Sequence, residues 1–175
     1  MHKQAGVLME RFSRTVEKGS RVLDVGSMNV NGAFREMFQD CDYVGIDIAA
    51  GDNVDIVVPE YEYPFQDDAF DVIISGSTLE HVKKPWLWIK EVGRLLKPGG
   101  KLCIIVPYAH PYHNHPVDCW RVFPEGLQVL FDEADLKTVK LEMHDGSDGG
   151  IHPILGQIVI HNTDGFYDTL GIATK

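Results

Sequence analysis

The stretch Arg21-Val22-Leu23-Asp24-Val25-Gly26-Ser27-Met28-Asn29-Val30-Asn31-Gly32 decides how this chain folds. Val22, Leu23 and Val25 form a short apolar strand, and glycines 26 and 32 bound the turn that leaves it. Gly26 lets the backbone reverse sharply, and Gly32 lets a ligand or neighbouring backbone come close. In an open α/β sheet a turn of this kind lies at the carboxyl edge of the strands, where small-molecule sites form.

The next strand, Tyr43-Val44-Gly45-Ile46-Asp47-Ile48, places Asp47 at its carboxyl end. Asp47 lies 21 residues after Gly26, the spacing of an acid that binds a ribose diol. The pair points to a nucleoside-containing cofactor, a dinucleotide or S-adenosylmethionine. The order G-x-G-x-x-G is absent, because Ser27 and Met28 follow Gly26. Asp24, beside the turn, repels a phosphate but suits a positive sulfonium and amino group.

Outward from this core, Val7, Leu8, Phe12 and Val16 recur at helical spacing and predict a helix over 4–18. Strands are expected at 21–25, 42–47, 54–58, 70–75, 102–106, 137–143 and 156–160. A helix over 31–39 turns Ala33, Phe34, Met37 and Phe38 inward, and residues 49–53 form a loop. Pro85 opens a helix over 85–96 with Trp86, Ile89, Val92 and Leu96 on one stripe, and Lys97-Pro98-Gly99-Gly100 stops it. Pro124 opens another over 124–135. The first five strands read as parallel. The last two follow one another without a helix and are expected to pair antiparallel at one edge.

The 175 residues, 44% of them hydrophobic, suffice for one domain, 1–175, with a sizeable core. No apolar run is long enough to span a membrane, and the first residues lack the apolar stretch of a signal peptide, so a cytoplasmic location is expected. Cys41, Cys103 and Cys119 have no C-x-x-C spacing, which argues against a disulfide framework or thiolate metal site. Cys103 reads as core packing. A net charge of -10 without a basic patch argues against a nucleic-acid partner.

Taken in order, four stretches resemble the class I S-adenosylmethionine-dependent methyltransferases of the type-11 group. Val22-Leu23-Asp24-Val25-Gly26 resembles the first motif, and Asp47 is the acid ending the second strand. Residues 63–72, Tyr63 to Val72, resemble an L-P-F-x-D-x-S-F-D-x stretch. Leu79-Glu80-His81-Val82, with Leu95-Leu96-Lys97-Pro98-Gly99-Gly100, resembles an L-E-H-V and L-K-P-G-G pair. The resemblance runs from Val22 to about Asn162. It implies a Rossmann-like, seven-stranded, mostly parallel α/β sheet with an antiparallel terminal strand and helices on both faces. It also implies that Asp24, Gly26 and Ser27 line the methionine end of the cofactor, with Met28 and Gly32 in the same turn. Asp47 would hold the ribose, Ile48 would pack on the adenine, and Ser75 would face the sulfonium. Two departures stand out. The usual second glycine arrives late, at Gly32, and Pro59 replaces an aspartate after the third strand, leaving Glu60 or Glu62 to take its place.

The loop 107–123 follows the fifth strand and so lies near the transferable methyl. Its Tyr112-His113-Asn114-His115-Pro116-Val117-Asp118-Cys119-Trp120-Arg121 run resembles a Y-H-x-x-P-x-D-x-W-R stretch in methyltransferases that accompany glycan biosynthesis. Three readings compete. His113 acts as general base oriented by Asp118, with His81 as a second candidate. His110, His113, His115 and Asp118 bind a divalent metal. Or the histidines and Trp120 stiffen the loop while Arg121 pairs with a carboxylate. The first is adopted, with no metal assigned.

Neither the D/N-P-P-Y/F stretch of amino-group methyltransferases nor a Pro-Cys nucleophile is present. The expectation is therefore a methyltransferase acting on a small-molecule or glycan-like acceptor, by O-methylation, with no nucleic acid or membrane partner and homo-oligomerisation left open. The alternatives are a non-catalytic S-adenosylmethionine-binding scaffold and, against the grain of the turn, a nicotinamide-dependent oxidoreductase.

Overall fold

A computed structural model describes residues 3–114, 116–144 and 167–175. The apolar runs form one sheet of β1 (Arg21–Val25), β2 (Asp42–Asp47), β3 (Ile56–Val57), β4 (Phe70–Gly76), β5 (Leu96–Ala109), β6 (Lys137–His144) and β7 (Tyr167–Thr174). The helices are α1 (Lys3–Ser13), α2 (Pro85–Leu95) and α3 (Pro124–Glu133). The strand order is β3-β2-β1-β4-β5-β7-β6. β1 to β5 run parallel, and β7 is antiparallel to both its neighbours.

Alternation along each strand sends successive side chains to opposite faces. On one face Leu23, Ile73, Leu102 and Ile104 pack under α2 and α3 through Trp88, Ile89, Leu127 and Phe131. On the other, Val22, Val72, Ile74, Cys103 and Ile105 pack under α1 through Leu8, Met9 and Phe12, joined by Phe34 and Phe38. Each such side chain, fully buried, contributes about 1.5–3 kcal/mol. Cys103 is core, as expected. No helix among the described residues is long and apolar enough to cross a membrane.

Several boundaries differ from the sequence expectation. α1 stops at Ser13 rather than 18, because Ser13 Oγ donates to Glu10 O at 2.9 Å and Thr15 Oγ1 to Phe12 O at 2.8 Å. Such local bonds compete with the helical ladder. The helix expected over 31–39 contracts to a 3-10 turn, Arg35–Phe38, because Gly32 N donates instead to Asn29 Oδ1 at 2.7 Å. The third strand keeps only two residues. Asn53 adopts φ 69° and Val54 N turns back to Gly51 O at 3.3 Å, so the chain enters late. In α2 the buried tryptophan is Trp88, whereas Trp86 is 46% exposed. The Lys97–Gly100 segment does end the helix, but it forms the irregular start of β5. α3 ends at Glu133, with Asp135 at φ 55°. The strand expected at 156–160 lies outside the described residues. β7 is the seventh strand; it pairs antiparallel with β6 at one edge of the sheet, as expected, and takes the inner place between β5 and β6. Burial decides this: β7 is covered on both faces, whereas β6 exposes Lys137, Val139 and Lys140 and takes the edge.

Candidate active site

From β1 the chain winds outward to β2 and β3, then returns to β4 on the other side of β1. Ligands of open α/β sheets bind at such a switch point, beyond the carboxyl ends of the strands. Here those ends are Val25–Gly26, Asp47 and Gly76–Thr78.

Gly26 sits at φ 81°, and a Cβ there would fall 2.1 Å from Thr78 Oγ1, so the turn and the segment after β4 close on each other only through glycine. Gly26 N and Ser27 N both donate to Ile46 O, at 2.9 and 3.0 Å, which fixes the turn over β2. Met28 N then donates to Asp47 Oδ2 at 3.2 Å, and Ala49 N to Asp47 Oδ1 at 3.3 Å. Asp47 is thus oriented at the mouth by two backbone amides, while each carboxylate oxygen keeps acceptor capacity. Ile48 beside it is 52% exposed, an apolar surface with nothing over it among the described residues.

Asp24 is buried beneath the turn. Its Oδ2 accepts from the Tyr43 hydroxyl, and Oδ1 has no partner among the described residues. Burial pushes its pKa up to about 7, the Asp47 charge adds to this, and the Tyr43 bond and Arg35 charge oppose it. Tyr43 belongs to a network that composition did not reveal. Asn53 Nδ2 donates to Tyr43 Oη at 3.3 Å and to Ser27 O at 2.7 Å. Arg35 Nε donates to Asn53 Oδ1 at 2.7 Å, and Arg35 stacks 4.3 Å over the Tyr43 ring. The Gly51-Asp52-Asn53 run, rich in turn formers, was the available signal, and Asn53 does adopt a positive φ there.

Two side chains expected at the cofactor are bonded within the protein. The Ser27 hydroxyl donates to Asn53 O at 3.1 Å, and the Ser75 hydroxyl donates to Val25 O at 2.8 Å. Both are buried and tie the frame of the cleft together. Gly32 lies further along the turn, bonded to Asn29. Of the acids near Pro59, Glu60 is half-buried and Glu62 exposed. Ser77, at φ 55°, is a strained non-glycine residue just past β4, and such strain concentrates at functional sites.

Two residues beyond Ser77 the chain makes a 3-10 turn, Leu79–His81, and the loop after β5 docks on it. Cys119 N and Trp120 N donate to Glu80 O at 2.8 and 3.2 Å, and Trp120 Nε1 donates to Val82 O at 2.7 Å. His81 Nδ1 bonds Val117 O at 2.5 Å. A carbonyl only accepts, so Nδ1 carries the proton and Nε2 is the basic nitrogen. Burial lowers the His81 pKa, so the ring is neutral near pH 7.

Arg121 grips Asp118 bidentately at 2.6 and 2.8 Å and holds its carboxyl well below the usual carboxylate range. Asp118 Oδ2 also accepts from His113 N at 2.7 Å and lies 3.4 Å from His113 Nδ1. His113 stacks edge-on against His81 with centroids 5.0 Å apart, and its Nδ1 is 3.1 Å from His110 Nδ1. The three expected catalytic residues, His81, His113 and Asp118, therefore come together. The loop-stiffening roles of Trp120 and Arg121 are present as well.

The metal set weighed from sequence is regrouped. Asp118 is committed to Arg121 and His115 lies outside the described residues, whereas Glu80, buried between the two imidazoles, joins them. Burial raises the Glu80 pKa to about 8. Glu80 falls within the Leu79-Glu80-His81-Val82 stretch, but only the fold shows it buried between two imidazoles.

The fold and this cleft define a class, the Rossmann-like methyltransferases. A family described as "Methyltransferase domain" matches residues 1–140, and the chain belongs to it. It is 34% identical over 103 residues to the chloroplastic 2-methyl-6-phytyl-1,4-hydroquinone methyltransferase 2 of Oryza sativa subsp. japonica, covering 56% of this chain and 27% of that protein. It is 29% identical over 137 residues to the ubiquinone/menaquinone biosynthesis C-methyltransferase UbiE of Shewanella sp. (strain ANA-3), covering 74% and 51%. The chain thus spans about a quarter to a half of the length of these relatives. Among solved structures, it aligns to the 1,6-didemethyltoxoflavin-N1-methyltransferase of Burkholderia thailandensis, solved with 1,6-didemethyltoxoflavin and S-adenosylhomocysteine. The TM-score is 0.70 at 15% identity, covering 99% of this chain and 77% of that one.

Proposed function

We propose that the chain is an S-adenosylmethionine-dependent methyltransferase that O-methylates a small-molecule or glycan-like hydroxyl acceptor. The observation that carries the cofactor reading is Asp47. Its carboxylate stands at the end of β2 facing the Gly26 turn, at the switch point, with the exposed Ile48 beside it. The residues suit the cofactor chemically. Asp47 accepts ribose hydroxyls and Ile48 offers an apolar face to adenine, while Asp24 lies buried beneath the turn and holds Tyr43 there. Bound there, S-adenosylmethionine supplies a methyl group already activated on a sulfonium.

The chain then has two tasks, placement and proton removal. Correct placement with water excluded is worth up to roughly 7–11 kcal/mol. The docked loop and the Leu79–His81 turn form the acceptor side, since Thr78, just before that turn, touches Gly26. An imidazole Nε2, of His113 with His81 behind it, takes the hydroxyl proton as oxygen attacks. Asp118 positions His113 through its backbone amide. The relatives bear on the acceptor through their names: a 1,4-hydroquinone methyltransferase, a ubiquinone/menaquinone biosynthesis C-methyltransferase and a 1,6-didemethyltoxoflavin-N1-methyltransferase.

The test is a methyl-transfer assay with isotope-labelled cofactor against phenols, hydroquinones, sugars and sugar nucleotides, with products located by NMR. A methoxy carbon in the product, lost in His113→Ala, is expected. A carbon- or nitrogen-bound methyl would overturn the oxygen assignment. Cofactor binding without product on any acceptor would favour the scaffold reading.

A further inference from the structure

The acceptor side contains a set of donors whose arrangement goes beyond acid–base chemistry. Glu80, His81 and His113 each offer one ligand atom, and these atoms all lie within 4.8 Å of one another. Glu80 Oε1 is 3.8 Å from His81 Nε2 and 3.9 Å from His113 Nε2. Donors around a tetrahedral ion at about 2.0–2.2 Å sit roughly 3.3–3.6 Å apart, so small side-chain movements would close the set.

Two further features support it. The imidazoles are held from behind. His81 Nδ1 donates to Val117 O, and His113 Nδ1 lies 3.1 Å from His110 Nδ1, 3.2 Å from Pro111 O and 3.4 Å from Asp118 Oδ2, itself clamped by Arg121. Metal-ligating histidines use their second nitrogen in this way, on a carbonyl or a carboxylate. The other feature is Glu80 itself. Its side chain is 1% exposed, and Oε2 has no hydrogen-bond partner among the described residues. A buried carboxylate is costly unless it is paired or coordinates a metal. The neighbouring cation, Arg121, already gives its bidentate pair to Asp118.

We propose that Glu80, His81 and His113 bind one divalent transition-metal ion, with zinc the best match to two imidazoles and a carboxylate, and leave a position open for an acceptor oxygen. Three protein ligands plus an open position is the pattern of catalytic rather than structural zinc. The inference rests on the reading of this loop as the acceptor side. With an ion bound, the two imidazoles would serve as its ligands instead of as bases, and the ion would lower the pKa of an acceptor hydroxyl in the open position, whose proton would pass to solvent water.

The experiment uses untagged full-length protein stripped with chelator. It is titrated with cobalt(II), followed by visible absorption, and with zinc in competition with a chromophoric chelator. Glu80→Gln, His113→Ala and Cys119→Ser are run alongside, and each sample is also titrated with S-adenosylhomocysteine. One ion per chain is expected, with affinity reduced at least tenfold in Glu80→Gln and His113→Ala and unchanged in Cys119→Ser. No stoichiometric ion in the wild type, or equal affinity in Glu80→Gln, overturns the metal site while S-adenosylhomocysteine binding persists. Loss of S-adenosylhomocysteine binding in the wild type with metal binding intact would instead overturn the methyltransferase reading.

Discussion

Asp24 holds an ionisable group where water cannot reach it, and this makes stability depend on pH. Its pKa rises from 3.8 to about 7, chiefly through burial. Below the lower value both folded and unfolded chains are protonated there. Between the two values the unfolded chain ionises first, so this contribution is lost as pH rises through about 7. In Asp24→Asn, which keeps an acceptor for Tyr43, the fall in stability from about pH 4 to pH 7 should be shallower than in the wild type. Urea denaturation across that range, without cofactor, checks this. An unchanged slope would mean that the site stays hydrated. Gly26 makes a sharper case. An alanine would be strained at φ 81° and would meet Thr78 at 2.1 Å, so Gly26→Ala should cost at least about 2 kcal/mol in the same assay. Residues of this kind were legible in the sequence, because a strand-end glycine and a strand-end acid carry their meaning locally. Glu80 was not. Its neighbours His113 and Asp118 arrive from a loop beyond another helix and strand, and only the fold brings them together.

At the scale of elements, the segment after β5 and the Leu79–His81 turn are one structural unit. Four hydrogen bonds join them: Cys119 N and Trp120 N to Glu80 O, Trp120 Nε1 to Val82 O, and His81 to Val117 O. Trp120→Ala removes the indole bond and its cover, and should release the loop. Faster proteolytic cleavage between residues 110 and 121, lost acceptor turnover and near-normal S-adenosylhomocysteine affinity are the expected results. A parallel loss of cofactor affinity would show instead that the loop supports the Gly26 turn. Most strands and the starts of α2 and α3 were legible, since apolar runs and helix-opening prolines act locally. Helix ends were less so, because Ser13, Thr15 and Asn29 use side chains to redirect the backbone. Trp86, expected on the inward stripe, is exposed and Trp88 is buried for a related reason: at a helix's first turn the periodic pattern has no preceding turn to fix its phase.

At the scale of the whole molecule, β7 closes the sheet. It inserts antiparallel between β5 and β6, and Gly171 lies under α3, where a Cβ would be 2.7 Å from Leu127 and 2.9 Å from Phe131. Gly171→Val should therefore destabilise the fold by several kcal/mol, read as a lowered denaturant midpoint. Little change would mean that α3 is free to shift. The insertion itself was not legible, because sequence order alone does not say which of two late strands takes the inner position. The central claim is that this sheet carries an S-adenosylmethionine site anchored by Asp47. Its most direct test is calorimetric titration with S-adenosylhomocysteine of the wild type and Asp47→Ala, with folding of both followed by circular dichroism. The account predicts micromolar binding by the wild type and at least a tenfold loss in the variant. A folded wild type that binds no S-adenosylhomocysteine, or a variant that binds it equally well, would contradict it.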